Sequence, residues 1–181
     1  MKQTPDNSTE LVITAPPPFG AELAYRTKSR MTLGVLTELM AQAREHVVIA
    51  APFLQAGQGL SGTGPLSAAL RAALQRQVRV DILSTGESLR SLNMTDMVSE
   101  RLTFFQPKAN LECDHLLGCH AKFCIADRDA AYVGSANLTG PGLATQLEMG
   151  LLVRGDVARS IAEFWSYSVD IGLFVRVAAP E

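Results

Sequence analysis

His120, Lys122, Ser135 and Asn137 stand close together around an apolar run. They lie in His120-Ala121-Lys122-Phe123-Cys124-Ile125-Ala126-Asp127 and in Gly134-Ser135-Ala136-Asn137. An imidazole can act as a nucleophile when a neighbour orients it. An ammonium and a carboxamide can hold anionic oxygens, and small residues let donors approach a ligand closely. Phosphorus in a diester carries negative charge on its equatorial oxygens, so fixed cations and donors help most there. Singly, each residue has an ordinary explanation: a satisfied core histidine, a strand lysine that snorkels to water, a Gly-Ser turn. Their joint spacing argues for a site that holds and attacks a phosphate diester.

The elements that position them can be read locally. Residues 120–126 alternate and are rich in β-formers, which predicts a strand. His120, Lys122 and Cys124 then share one face, with His120 and Lys122 about 6.6 Å apart at the backbone. Asp127, Arg128 and Asp129 make a turn, and Ala130–Val133 the return strand of a hairpin that ends at Gly134. Leu147–Val153 reads as a further strand. Glu148 on it faces away from Met149, Leu151 and Val153, and a carboxylate in an apolar strand needs a partner. A histidine is a natural one, because the carboxylate fixes its tautomer and raises its basicity.

The pattern H-x-K-x4-D-x6-G-S-x-N resembles the signature of the phospholipase D superfamily, with Glu148 at the place of the family's downstream glutamate. The resemblance covers roughly residues 30–175 and implies a two-step, metal-independent phosphodiester transfer. By that resemblance His120 is the nucleophile and becomes phosphorylated. Lys122 and Asn137 clamp the phosphate, Ser135 supports the clamp, and Glu148 orients His120. Asp127 and Gly134 are motif positions with a structural part. The runs Gly134–Thr139 and Leu147–Gly150 are further similar to phospholipase D-like proteins of bacterial anti-phage gene clusters.

The family's chemistry uses two H-x-K units per site, and this chain has one, with no internal repeat. The remaining histidines, His46 and His115, lack a lysine two residues on. A symmetric homodimer that brings both His120 side chains together completes the site most simply. His115 acting as the acid within one chain is the alternative.

The chain has 181 residues, 47% hydrophobic content and a formal charge of −2, enough apolar material for one sizeable core and no global basic field. Arg26, Lys28 and Arg30, and separately Arg71, Arg76 and Arg79, form local clusters that are either solvated faces or phosphate contacts. Nothing at the polar start reads as a signal peptide, and no apolar stretch approaches the ~20 residues of a membrane span. The expectation is a cytoplasmic chain. Cys113, Cys119 and Cys124 are then reduced thiols. A zinc site with His115 and His120 is disfavoured because paired C-x-x-C knuckles are missing. No cofactor is expected.

The remainder reads as scaffold. Residues 1–28 form a flexible, polar and proline-rich arm, and 29–181 a single domain. Helices are expected over 30–44, from Pro65 onward, and after Asp156 as N-cap, the last carrying Val157, Ile161, Phe164 and Trp165. Strands are expected at His46–Ala51, Val78–Leu83, Leu102–Phe105 and Leu111–Cys113. Gln55–Gly64 is a glycine-rich loop without a Walker lysine; it either connects elements or borders the cleft. The alternation predicts an α/β fold, a mixed β-sheet flanked by helices on both faces, of phospholipase D/nuclease type.

Three functions follow. One is a nuclease acting on DNA or RNA. A second is a lipid phosphodiesterase or phosphatidyl transferase, although no basic amphipathic helix suggests a membrane surface. A third is a nucleic-acid-binding subunit of a multi-subunit system, with protein partners.

Overall fold

The computed structural model describes residues 7–55, 59–92, 97, 99–108 and 119–179. In chain order the elements are β1 (Thr9–Thr14), α1 (Phe19–Thr27), β2 (Arg30–Met31), α2 (Thr32–Gln42), β3 (His46–Ala50), α3 (Pro65–Gln75), β4 (Arg79–Leu83) and α4 (Gly86–Arg90). Then come β5 (Leu102–Pro107), β6 (Phe123–Ala126), β7 (Ala130–Gly134), α5 (Gly140–Ala144), β8 (Glu148–Arg154), α6 (Asp156–Asp170) and β9 (Phe174–Val177).

The strands form one nine-stranded mixed sheet in the order β2-β1-β8-β7-β6-β3-β4-β5-β9. β3, β4 and β5 run parallel, and β6, β7, β8 and β1 pair antiparallel. Period-two alternation divides the apolar residues between two layers. Val47, Ile49, Val80, Ile82, Tyr132 and Leu152 join α2 and α3 in one core. Val48, Ala50, Phe123, Ile125, Ala131 and Val153 join α6 in the other. Trp165 anchors that second core, edge-on to Phe105 at 5.1 Å and stacked on Phe174 at 5.6 Å. The expected mixed sheet with helices on both faces is the observed one.

Several expectations change. Residues 9–27, expected within a loose arm, are β1 and α1. Val12 and Ile13 are buried, and β1 pairs along its whole length with β8. The apolar triplet Leu11-Val12-Ile13 is sufficient for an interior strand once a partner lies beside it. Arg30 and Met31 form β2 rather than opening a helix, so α2 starts at Thr32. Asp156 is the first residue of α6, not its cap. Gly155 is the N-cap, in a positive-φ conformation (76°) that favours glycine. Asn7 instead closes this end: its side chain accepts from the Asp156 N–H and donates to the Asp156 carboxylate, each at 2.9 Å. On α6, Trp165 and Ile161 pack on the core as expected, but two of the four stripe residues do not. Ala158, Ala162 and Trp165 are buried, while Val157 and Phe164 are exposed. The strand expected at Leu111–Cys113 lies outside the described residues.

Charged groups that read as possible patches mostly hold the scaffold. Glu38 on α2 bridges Arg30 on β2 and Arg154 on β8, and Arg30 holds its carboxyl below the usual range. Arg76 donates to the carbonyls of Met40 and Ala43 at the end of α2, and Arg71 to that of Gly62. Among the described residues no helix is long and apolar enough to cross a membrane.

Candidate active site

Three adjacent antiparallel strands bring the motif residues to one end of the sheet. Gly134 N–H donates to the Lys122 carbonyl at 3.1 Å, Gly134 pairs in register with Gly150, and Ser135 N–H donates to the Met149 carbonyl at 3.0 Å. Lys122, the turn Gly134–Asn137 and Glu148 therefore lie level with one another. The carboxyl ends of β3 and β4 reach the same edge, a usual place for ligands in open α/β sheets.

The strand ahead of the hairpin is shorter than expected. β6 begins at Phe123, so His120 and Lys122 precede it, and His120 is exposed. Lys122 is only 8% exposed, and a cation that buried needs partners. Its ammonium donates to Nδ1 of His120 at 3.2 Å and to the His120 carbonyl at 3.1 Å. An ammonium can only donate, so Nδ1 here carries the lone pair and the ring proton sits on Nε2.

Glu148 takes a different partner from the expected one. Its carboxylate accepts from the Ser135 hydroxyl, and Ser135 Oγ in turn accepts from Met149 N–H at 3.1 Å. Ser135 sits across the β7–β8 pairing from Met149, next to Glu148, whereas His120 lies outside the strands; the Ser135 hydroxyl takes the contact. Asn137 follows on the same turn. Its Oδ1 is buried and has no hydrogen-bond partner among the described residues. A buried acceptor left in this way is open to a donor.

Asp127 is at the opposite end of the hairpin, far from this chemistry. It accepts from the backbone N–H groups of Arg44, Glu45 and His46 at 2.7, 2.8 and 2.9 Å and so pins the β6–β7 turn to the start of β3. His46 is committed there too, with Nε2 against Asp81 at 2.8 Å and Nδ1 accepting from Arg79 at 3.0 Å. It is on the wrong edge to assist His120. His115 and Cys113 lie outside the described residues. Burial pushes the Cys124 thiol up to about 12 and raises that of Cys119, so neither is a thiolate near neutrality. Among the described residues no group of three His, Cys, Asp or Glu could hold a metal ion.

The loop after β3 borders the site. Leu54 bridges Leu138, the residue after Asn137, and Gln55 N–H donates to the Leu138 carbonyl at 3.2 Å. Sequence reasoning passed over Tyr132 and Gly150. A glycine inside a strand is itself a sign of close approach, and Gly150 packs against the Tyr132 ring.

Comparison with known proteins bears on the family and the fold. The family model described as "Cardiolipin synthase, PLD-like domain" matches residues 36–167. The chain belongs to this phospholipase D-like family, and that membership supports phosphodiester chemistry. Among solved structures, the phospholipase D family member Nuc from Salmonella typhimurium aligns with a TM-score of 0.65 at 16% identity, over 96% of this chain and 100% of its own. NucT from Helicobacter pylori gives 0.67 at 17%, over 95% and 100%. Phosphatidylserine synthase from Haemophilus influenzae gives 0.61 at 12%, over 94% of this chain and 40% of its own. No curated protein sequence matches.

Proposed function

We propose that the chain is a metal-independent nuclease that cleaves DNA or RNA through a phosphohistidine at His120, in a site completed by a second copy of the chain. The observation that carries this reading is the buried Lys122 ammonium held on Nδ1 of His120, at the sheet edge where Gly134 N–H, at the start of the Gly-Ser-Ala-Asn turn, meets the Lys122 carbonyl. A phosphate placed between them draws the ammonium onto its own oxygens. That frees Nδ1, and Nε2 can attack once its proton has moved to Nδ1.

The steps balance. A bond forms between His120 and phosphorus while the bond to the leaving oxygen breaks. The second copy's His120, as imidazolium, gives that oxygen its proton. The same imidazole then takes a proton from water, which displaces His120 from phosphorus. Lys122 and Asn137 stabilise the equatorial oxygens in both steps.

Two features support a second copy. His46, the other described histidine, is engaged at the far edge. Beside Ser135 and Glu148, Val133, Met149 and Leu151 line one sheet face and are 42%, 60% and 44% exposed, an apolar strip that a symmetry mate would cover. The nuclease reading is favoured over the lipid one by extent. Nuc and NucT are matched end to end, the phosphatidylserine synthase over 40% of its length.

The test is a substrate panel in excess EDTA. DNA, RNA or bis-p-nitrophenyl phosphate should be cleaved, and His120→Ala should abolish cleavage. Undiminished turnover in that variant would remove His120 from the mechanism. Head-group release from lipid vesicles without nucleic-acid cleavage would replace this reading with the lipid one.

A further inference from the structure

Past the end of β3 the chain reads Ala51-Pro52-Phe53-Leu54. Ala51, Pro52 and Leu54 are buried, while Phe53 between them is 54% exposed. Single exposed apolar side chains are common on protein surfaces, and one by itself calls for no explanation. Two things set this one apart, its place and the order of the backbone that carries it.

The place follows from register. β3 and β6 pair antiparallel with Ala50 opposite Phe123. Counting outward on both chains sets Ala51 level with Lys122 and Phe53 level with His120. One residue further, Leu54 bridges Leu138, the neighbour of Asn137, and the Gln55 side chain accepts from Gly140 N–H at 3.4 Å. Phe53 therefore stands on the segment that runs from the level of His120 to the G-S-x-N turn.

Hydroxyls between β4 and α4 hold that segment. Ser84 Oγ donates to the Ala51 carbonyl at 2.6 Å, and Thr85 Oγ1 and Ser88 Oγ donate to the Pro52 carbonyl at 3.1 and 2.8 Å. Ser84 and Ser88 are themselves buried. Three hydroxyls on two adjacent carbonyls fix the backbone immediately before the ring. A half-exposed ring on an ordered backbone contributes little to the fold, because it buries little area where entropy has already been lost. The same order lowers the cost of binding a partner on that ring.

We propose that Phe53 is a base-stacking residue of the site and that single-stranded nucleic acid is the preferred substrate. The proposal rests on the nuclease reading and deepens it. The reacting phosphate goes to His120 and Lys122, and the base of an adjoining nucleotide lies on the Phe53 ring. Every base has a π-face, so such a contact accepts any sequence. In a duplex each base is already stacked on its neighbours, so a surface ring takes only a base that is free of them. The formal charge of −2 gives the chain little long-range attraction for a polyanion, which leaves more for a non-ionic contact to contribute.

The test compares a short single strand with the same strand stripped of its bases, abasic sugars on an unchanged phosphate backbone. It is run in excess EDTA, with DNA or RNA according to which wild type cleaves. Wild type should show kcat/KM at least about tenfold higher on the base-bearing strand. That preference should fall to about twofold or less in Phe53→Ala, and also in Phe53→Leu, which is apolar without a flat ring. In Phe53→Trp it should persist. Wild type should cleave the single strand at least about tenfold faster than the matching duplex. A preference that survives Phe53→Ala, or a duplex cleaved as fast as the single strand, would overturn the proposal. Light scattering is run on each variant, and a Phe53→Ala or Phe53→Leu chain of lower mass than wild type would assign the ring to the contact between copies instead. If wild type cleaves neither strand, the nuclease reading fails by itself, and the same ratio read as Kd by fluorescence anisotropy decides the stacking. Equal Kd for the two strands, or binding to neither, would then overturn it.

Discussion

The Lys122 ammonium and the His120 ring meet at 3.2 Å, and the contact goes to Nδ1. In this state the lysine occupies the lone pair that a nucleophilic histidine must exchange for a proton. On the proposed mechanism an anion must compete for the ammonium before His120 can react. On that reading Lys122 has two tasks, to keep His120 placed and to be released from it by phosphate.

Lys122→Met removes the charge and keeps much of the volume. Removing a well-partnered buried cation in favour of an apolar side chain is often neutral or stabilising, so the melting temperature should hold or rise. Turnover should fall by roughly 100-fold or more, since the main cation on the equatorial oxygens is gone. A rate near wild type with a normal melting curve would show that Lys122 only supports the fold.

Asp127 should behave in the opposite way. Asp127→Ala leaves the N–H groups of Arg44, Glu45 and His46 without their acceptor. The expected loss is on the order of 3 kcal/mol, seen as a melting temperature roughly 5–10 °C lower. At a temperature where the variant is folded, its kcat should match wild type within about twofold, because the carboxylate is at the far end of the hairpin. A large kcat defect in folded Asp127→Ala would move this residue into the chemistry.

These two residues also mark what a single sequence makes legible. The hairpin from Lys122 to Gly134 is local, and its alternation, turn and motif spacing place Asp127 at the bend and the small residues at the far end. Pairings between distant segments leave no such trace. β1 meets β8 only across most of the chain, and Leu11-Val12-Ile13 is hidden between a polar start and Pro16-Pro17-Pro18. The Ser135–Glu148 contact depends on the register of β7 against β8, which a carboxylate in an apolar strand signals without naming its partner. Tyr132 looks like any core aromatic until Gly134 and Gly150 are seen beneath it.

Glu38 gives the fold a pH dependence with a defined sign. Arg30, and behind it Arg154, hold its carboxyl below the ordinary value of 4.5 in the folded protein. A carboxyl depressed by folding stabilises above its unfolded pKa, and the contribution is lost as pH falls through the folded value. Glu38→Gln should melt about 1–3 °C lower than wild type at pH 7, a small figure because the network is partly exposed. The gap should close as pH falls below about 4.5. A gap that stayed constant from pH 7 to pH 3 would mean that Glu38 contributes by packing rather than by charge.

Subunit mixing tests the shared site most directly. If each active site takes one His120 from each of two copies, a wild-type subunit paired with His120→Ala has no complete site. Wild type exchanged with an equal amount of His120→Ala should retain about one quarter of its turnover per total chain, the fraction of dimers in which both copies are intact. Independent sites would retain about one half. The same strip of Val133, Met149 and Leu151 offers a second handle. Met149→Asp places a carboxylate on the exposed apolar face beside Glu148 and should halve the mass seen by light scattering. It should also abolish turnover while the circular dichroism of the folded chain persists. A Met149→Asp chain that stays fully active as a monomer would require the second histidine to come from within the same chain.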